Sequence, residues 1–126
     1  MDEPTVFVDA LNVMRSRWPN LRAESLIQLT HAWAEHEGVQ ALIVFDGHAP
    51  PAGTALLDDR TSIVGTGAGT ADDWIVEQVE RMAHEGCRLW LVSSDRELRQ
   101  RVFPYVERSI GGGSFAAELE RLGRAG

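Results

Sequence analysis

The chain has 126 residues, of which 44% are hydrophobic and 25% charged, and these proportions indicate one globular domain and exclude a disordered chain. Its formal net charge is −7 and its basic residues are all arginines, so P-loop and Schiff-base lysine chemistry are excluded. No apolar run is long enough to span a membrane, no secretion signal follows Met1, and the single cysteine, Cys87, suits a reducing compartment. We therefore expect a cytoplasmic protein.

Strand and helix patterns alternate along the chain. The predicted elements are a strand at 6–9, a loop at 12–20, a helix at 22–37, a strand at 40–45, an irregular segment at 47–60, a short strand at 61–64, a helix at 71–85, a strand at 88–92, a helix at 96–102, a short strand at 105–109, a flexible turn at 111–113 and a terminal helix at 114–122. This alternation predicts a single three-layer α/β domain over residues 1–126, with a central, mainly parallel sheet and right-handed crossovers.

Aspartates follow the apolar runs that we predict to be strands. Asp9 and Asp46 end two of these runs, and Asp95 comes after a third. Because the carboxyl ends of parallel strands share one edge of a sheet, these side chains are expected to converge. Clustered carboxylates repel one another, and the usual offset is a divalent cation such as Mg²⁺ or Mn²⁺. The pattern therefore indicates a metal-binding edge.

Each acidic residue also has a structural interpretation. Asp95 has the position of an N-cap, Asp72 and Asp73 lie in the first turn of a predicted helix, and Asp46 precedes a glycine as in a turn. Asp9 lacks such an explanation, because Ala10-Leu11 is not a normal helix start. One shared cause is the simpler interpretation.

The glycines at Gly65, Gly67 and Gly69 do not complete a dinucleotide-binding fingerprint, because Thr70 occupies the last position. We interpret this segment as a turn that lets the helix at 71–85 begin near the acidic edge.

Four ordered motifs resemble those of the NYN-domain nucleases, and most closely the YacP-like group of the PIN-like superfamily. They are Val8-Asp9-Ala10-Leu11-Asn12-Val13, Val44-Phe45-Asp46-Gly47, Thr70-Ala71-Asp72-Asp73-Trp74-Ile75 and Ser93-Ser94-Asp95-Arg96. The resemblance covers nearly the whole chain and implies a PIN-like fold and a metal-dependent ribonuclease. It also implies that Asp9, Asp46, Asp72 and Asp95 form the acidic, metal-binding catalytic site, with Asn12 beside them.

The chain departs from the family pattern at two positions. Ala10 stands where the family usually has glycine, which matters only if the backbone there requires a positive φ. Asp73 stands where serine is common, and this extra carboxylate is a further candidate ligand, a supporting group or a helix cap.

Arginines near the predicted edge are candidates for binding RNA. We expect Arg15 and Arg96 to contact phosphates. Asn12 has two open interpretations, a hydrogen bond to a phosphate or ligand carboxylate, and a buried loop amide. For Trp18 we expect packing into the core rather than stacking on a base.

The sequence thus predicts a metal-dependent ribonuclease, an endonuclease on single-stranded RNA. The alternative is a non-catalytic metal- or RNA-binding module that acts through a partner, for which the ribosome is a candidate. A haloacid-dehalogenase-like phosphatase is a third reading, but it needs an aspartate two positions after Asp9, where Leu11 stands. The oligomeric state is not predicted.

Overall fold

The computed structural model of the chain describes residues 3–50 and 60–125. The described strands are β1 (Thr5–Asp9), β2 (Gln40–Phe45), β3 (Thr61–Gly65), β4 (Leu89–Val92) and β5 (Arg108–Ile110). The described helices are α1 (Ala10–Met14), α2 (Ala23–Glu37), α3 (Ala71–His84), α4 (Arg96–Val102) and α5 (Gly112–Ala125). The predicted irregular segment at 47–60 falls partly outside the described residues, which omit 51–59.

The strands form one parallel sheet in the order β3-β2-β1-β4-β5. This arrangement confirms the predicted α/β architecture with a central parallel sheet. The chain places β2 and β3 on one side of β1 and then returns to place β4 and β5 on the other side. In open α/β sheets, ligands bind at such a switch point, outside the carboxyl ends of the strands. Here the switch point lies between β1 and β4.

Apolar side chains alternate across the sheet and form two cores, one on each face. In β1, Val6 and Val8 join the core on one face, whereas Phe7 joins the core on the other. The first core includes α2 and α5, where the ring of Trp33 meets Phe115 edge-on with centroids 4.9 Å apart. The second includes α3 and α4. The sheet is therefore the middle layer of three, which explains why β1 is buried along its whole length.

Two segments differ from the sequence prediction near the ends of strands. The prediction that no helix starts after Asp9 is wrong, because α1 begins at Ala10 and the predicted loop from residue 12 begins only after Met14. Ala10 and Val13 are fully buried, and this packing stabilises a helix of five residues that would not form in isolation. The backbone at position 10 does not require glycine, since no non-glycine residue in the described ranges has a positive φ.

The glycine triplet near the end of the chain is not a flexible turn, since α5 begins at Gly112. The backbone N–H of Gly112 donates to Ser94 Oγ over 2.7 Å, and the residue is buried against Asn12. A Cβ at position 112 would lie 2.3 Å from Asn12 Oδ1, so any larger residue there would displace the Asn12 side chain from its hydrogen bond with Ser94. The last strand also lies later than predicted, at Arg108–Ile110.

No helix within residues 3–50 and 60–125 is both long enough and apolar enough to cross a bilayer.

Gly65, at the end of β3, lies so close to the loop after β2 that a side chain there should destabilise the protein. A Cβ at Gly65 would lie 2.5 Å from the backbone nitrogen of Ala49 and 2.7 Å from the carbonyl oxygen of Gly47. We expect Gly65→Ala to lower the free energy of unfolding by about 1–3 kcal/mol, because backbone atoms must move to make room. Chemical denaturation measures this change.

Gly113→Ala is the matched control, because a Cβ at Gly113 meets nothing within 4 Å. We expect its unfolding free energy to change by less than about 1 kcal/mol. Equal stability of Gly65→Ala and the wild type would contradict the described contact between the end of β3 and the loop that follows β2.

Candidate active site

Four aspartates from four separate segments line one open pocket of about 580 Å³ at the carboxyl edge of the sheet. Asp9 ends β1, Asp46 follows β2, Asp72 lies in the first turn of α3, and Asp95 precedes α4. The remaining lining residues are Leu11, Asn12, Arg15, Ser16, Ser94 and Gly113. The structure therefore brings together the four carboxylates that the sequence analysis selected, at the switch point of the sheet.

Ser93 joins the end of β1 to the end of β4. Its buried hydroxyl donates to Asp9 Oδ2 over 2.9 Å and accepts from the backbone N–H of Asp95 over 3.1 Å. Asp95 in turn accepts from the backbone N–H of Leu98 over 3.0 Å, so the predicted N-cap of α4 is confirmed. The cap uses one carboxylate oxygen, and the same side chain still lines the pocket. Capping and a place in the site are therefore compatible.

Asp46 is held by the start of α3. Its Oδ1 accepts from the backbone N–H of Ala71 over 2.7 Å. The turn between β3 and α3 is tied to the loop after β2, since the hydroxyl of Thr66 accepts from the N–H of Gly47 over 3.3 Å and donates to the carbonyl of Gly69 over 2.9 Å. The interpretation of the glycine segment as a turn that brings the helix to the acidic edge is confirmed.

Asn12 ties α1 to the loop after β4. Its Oδ1 accepts from the backbone N–H of Ser94 over 2.8 Å, and the residue is half-buried at the pocket wall. Asn12 thus has a structural role, but as a half-buried residue of α1 and not as a buried loop amide. Because the oxygen is used in this bond, the amide N–H groups are the part of the side chain that can donate to a ligand.

The pocket disfavours ionised carboxylates in the absence of a counter-charge. Burial raises the pKa of Asp9 from 3.8 to about 6, and repulsion from Asp72 and Asp46 adds to the rise. The hydroxyl of Ser93 and the backbone N–H of Asn12 oppose it, since both stabilise the charged form. Burial also raises the pKa of Asp72, with further repulsion from Asp95 and Asp46. The four groups are close enough to act on one another's charge.

Asp73 does not line the pocket. Its exposed carboxylate pairs with Arg101 over 3.3 Å, and its backbone N–H donates to the hydroxyl of Thr70, which caps α3. The cap of α3 is therefore Thr70 and not the carboxylate of Asp73, and a role of Asp73 as a ligand or supporting group stays a prediction.

The predicted RNA-binding residues occupy different places. Arg15 lines the aspartate pocket, whereas Arg96 lines a neighbouring pocket. The expectation that Trp18 packs into the core is wrong, because its side chain is 91% exposed. It follows α1 in an irregular segment, and the cores are filled without it by residues such as Trp33 and Phe115.

The chemistry of the pocket fits a hard divalent cation. In residues 3–50 and 60–125, no group of three or more His, Cys, Asp or Glu side chains is placed so that it could hold a metal ion together. Carboxylate oxygens are nevertheless the ligands that Mg²⁺ takes, and this ion keeps several waters and needs only one or two carboxylates. A cation would also relieve the repulsion that raises the pKa of Asp9 and Asp72.

Three residues that shape the site were missed in the sequence. Ser93, Ser94 and Gly112 fix Asp9, Asn12 and the start of α5 through the hydrogen bonds described above. The available signals were a Ser-Ser pair placed between a strand and Asp95, and a glycine triplet before the last helix. Neither signal indicates which residues these groups contact, because the contacts join residues that are distant in sequence.

Comparisons with known proteins agree with this fold. The YacP-like NYN domain matches residues 6–125 of the chain. Among solved structures, the chain is similar to Rae1 (YacP) from Bacillus subtilis, with a TM-score of 0.73 and 20% identity over 99% of this chain and 77% of that one. A tryptophan-to-leucine mutant of the same protein gives a TM-score of 0.71 and 22% identity over 99% and 79% of the two chains. No curated protein matches the chain significantly.

These two structures share the PIN-like fold that the sequence motifs implied. The family match covers nearly the full sequence and agrees with this fold. The chain therefore belongs to the YacP-like NYN domain family.

Proposed function

We propose that this protein is a metal-dependent endoribonuclease that hydrolyses phosphodiester bonds of single-stranded RNA. The observation that carries the proposal is the convergence of Asp9, Asp46, Asp72 and Asp95 in one open pocket with Arg15 at its wall. Membership of the YacP-like NYN family supports an RNase-type activity. We place this activity in the cytoplasm, which agrees with a single cysteine, Cys87, that forms no disulfide.

The four aspartates of the pocket would hold one or two Mg²⁺ or Mn²⁺ ions. When bound, such ions neutralise charge on the phosphate and provide a nucleophilic water. The protein positions its own ligands, because the hydroxyl of Ser93 orients Asp9 and backbone N–H groups orient Asp46 and Asp95. The carboxylate of Asp73, paired with Arg101, is outside this set.

Arg15 and Asn12 are the groups that would hold the substrate. Arg15 lines the pocket, and its guanidinium makes no hydrogen bond or ion pair with another described residue, so it is available to a phosphate. The amide N–H groups of Asn12 are the second candidate donor. Both residues lie on or next to α1, which directly follows the catalytic Asp9.

Removing single charges from the site tests the proposal. We expect Asp9→Asn and Asp95→Asn to reduce Mn²⁺- or Mg²⁺-dependent cleavage of a single-stranded RNA by roughly a thousandfold, because several kcal/mol of charge stabilisation are lost. Asparagine keeps an oxygen acceptor, so the cap of α4 and the overall fold should persist. Cleavage kinetics with and without chelator, alongside circular dichroism, measure both effects.

Asp73→Asn is the matched control, because it removes a nearby carboxylate that lies outside the pocket. We expect its cleavage rate to stay within roughly threefold of the wild type. Full activity of Asp9→Asn and Asp95→Asn would rule out the site. No cleavage of isolated RNA by the wild type would instead favour a module that acts through a partner such as the ribosome.

Removing Arg15 tests the contact with phosphate. Arg15→Ala should weaken RNA binding and reduce the slope of log K against log salt by about 0.7, as expected when one phosphate contact to a single strand is lost. Arg124→Ala is the control, because Arg124 is an exposed arginine of α5 outside the pocket. Equal slopes for wild type and Arg15→Ala would place the binding face elsewhere.

A further inference from the structure

A second pocket, of about 370 Å³, adjoins the aspartate pocket. Ser94 lines both pockets, so the two are neighbours. The other lining residues are Arg96, Arg99, Gln100 and Phe103, all from α4 and its C-cap. This pocket contains no carboxylate in its wall, in contrast to its neighbour.

Within residues 3–50 and 60–125, Arg96 and Arg99 have no ion-pair partner, although the protein has an excess of acidic residues. Most other arginines of the described chain have carboxylate partners: Arg17 with Glu120, Arg22 with Glu24, Arg60 with Glu3, Arg81 with Glu85, Arg88 with Glu107, Arg101 with Asp73 and Arg121 with Glu118. Arg108 lies over the ring of Trp90. Within residues 3–50 and 60–125, the side chains of Arg96 and Arg99 form none of these contacts. They are available to an external anion.

Phe103 adds an aromatic surface to the same pocket. Its side chain is 77% exposed, and Trp18 is the other large hydrophobic side chain exposed to this degree in the described residues. A single exposed phenylalanine is ordinary. Here, however, Phe103 and Arg99 line both the second pocket and a smaller one of about 220 Å³. The ring therefore has open space beside it and positive charge next to it.

We propose that the second pocket, formed by Ser94, Arg96, Arg99, Gln100 and Phe103, binds an unpaired nucleotide that flanks the cleaved bond in the RNA. The base stacks on Phe103, and Arg96 and Arg99 bind the adjoining phosphates. This inference rests on the proposed function, since it places the nucleotide beside the aspartate pocket. Stacking on an aromatic ring together with arginine contacts is how proteins bind single strands without reading a duplex.

Stacking of a base on Phe103 requires that one face of the base is exposed. A paired base in a duplex cannot present its face to Phe103, because both faces are stacked on neighbouring bases. Gln100 supplies an amide that can donate to and accept from the edge of a base. The pocket therefore favours single-stranded RNA over duplex RNA at the position next to the cleaved bond.

Binding of a short, labelled single-stranded RNA in chelator tests the proposed subsite without requiring cleavage. We expect Phe103→Ala and Phe103→Leu to bind this RNA roughly tenfold more weakly than the wild type, because the stacking surface is lost. Phe103→Tyr keeps an aromatic ring and should bind within roughly twofold of the wild type. Fluorescence anisotropy measures the dissociation constants.

An abasic RNA of the same length separates stacking from a change in the protein. The wild type should bind the abasic RNA about as weakly as Phe103→Ala binds the intact RNA. Phe103→Ala should show little difference between the two RNAs. If Phe103→Ala weakens both RNAs equally, or weakens neither, stacking on Phe103 is refuted.

Substitutions of the two arginines should affect RNA binding differently from substitutions of Phe103. Arg96→Ala and Arg99→Ala should weaken intact and abasic RNA to the same extent and should each reduce the salt slope by about 0.7. Arg124→Ala removes an arginine whose side chain also forms no contact in the described chain, and should leave the slope unchanged. Equal slopes for Arg96→Ala, Arg99→Ala and wild type would overturn the phosphate contacts. Competition by a polyglutamate peptide as strong as that by RNA would assign the pocket to an acidic peptide and refute the proposal.

The experiments distinguish an error in the nucleotide-binding proposal from an error in the proposed ribonuclease activity. If the wild type cleaves RNA with Mn²⁺ while Phe103→Ala and Arg96→Ala bind normally, the subsite is wrong and the proposed function stands. If these variants lose binding as described while the wild type never cleaves RNA, the nucleotide pocket stands and the proposed catalysis is wrong.

Discussion

Repulsion among carboxylates that the fold holds in one place is the constraint on which the candidate site depends. Asp9 is fixed by the hydroxyl of Ser93, and Asp46 and Asp95 are fixed by backbone N–H groups at the starts of α3 and α4. These contacts prevent the side chains from moving apart, so burial and repulsion raise the pKa of Asp9 and Asp72 instead. A protein that fixes like charges at a cost in stability has a site suited to a cation.

The parallel sheet explains why residues so distant in sequence converge. Each strand of the β3-β2-β1-β4-β5 sheet delivers its carboxyl end to the same edge, and the switch between β1 and β4 opens the crevice there. The acidic pocket is next to the arginine-lined pocket along α4, because Ser94 lines both. Carboxylates and arginines thus lie side by side at this edge, in a chain whose net charge is −7.

The sequence was sufficient for features that depend on local pattern. Strand periodicity and strand ends placed Asp9, Asp46 and Asp95 at one edge, and the motif order added Asp72. Features that depend on tertiary packing were not accessible. The exposure of Trp18 depends on which aromatics fill the core, α1 is stabilised by burial of Ala10 and Val13, and the close approach of Gly112 to Asn12 joins segments a hundred residues apart. The arginines that form no ion pair could likewise be recognised only after the partners of the others were known.

Thermal melting of wild type and Asp9→Asn tests the charge cluster most directly. The raised pKa of Asp9 means that the wild type loses stability relative to the variant as pH increases from about 4 to about 6, since the buried group must then ionise. In chelator near pH 7.5, Asp9→Asn should therefore melt at the same or a higher temperature than the wild type, and the difference should vanish near pH 4. Millimolar Mn²⁺ should raise the melting temperature of the wild type and raise that of the variant less. Destabilisation of Asp9→Asn in chelator, with no response of the wild type to Mn²⁺, would contradict the account.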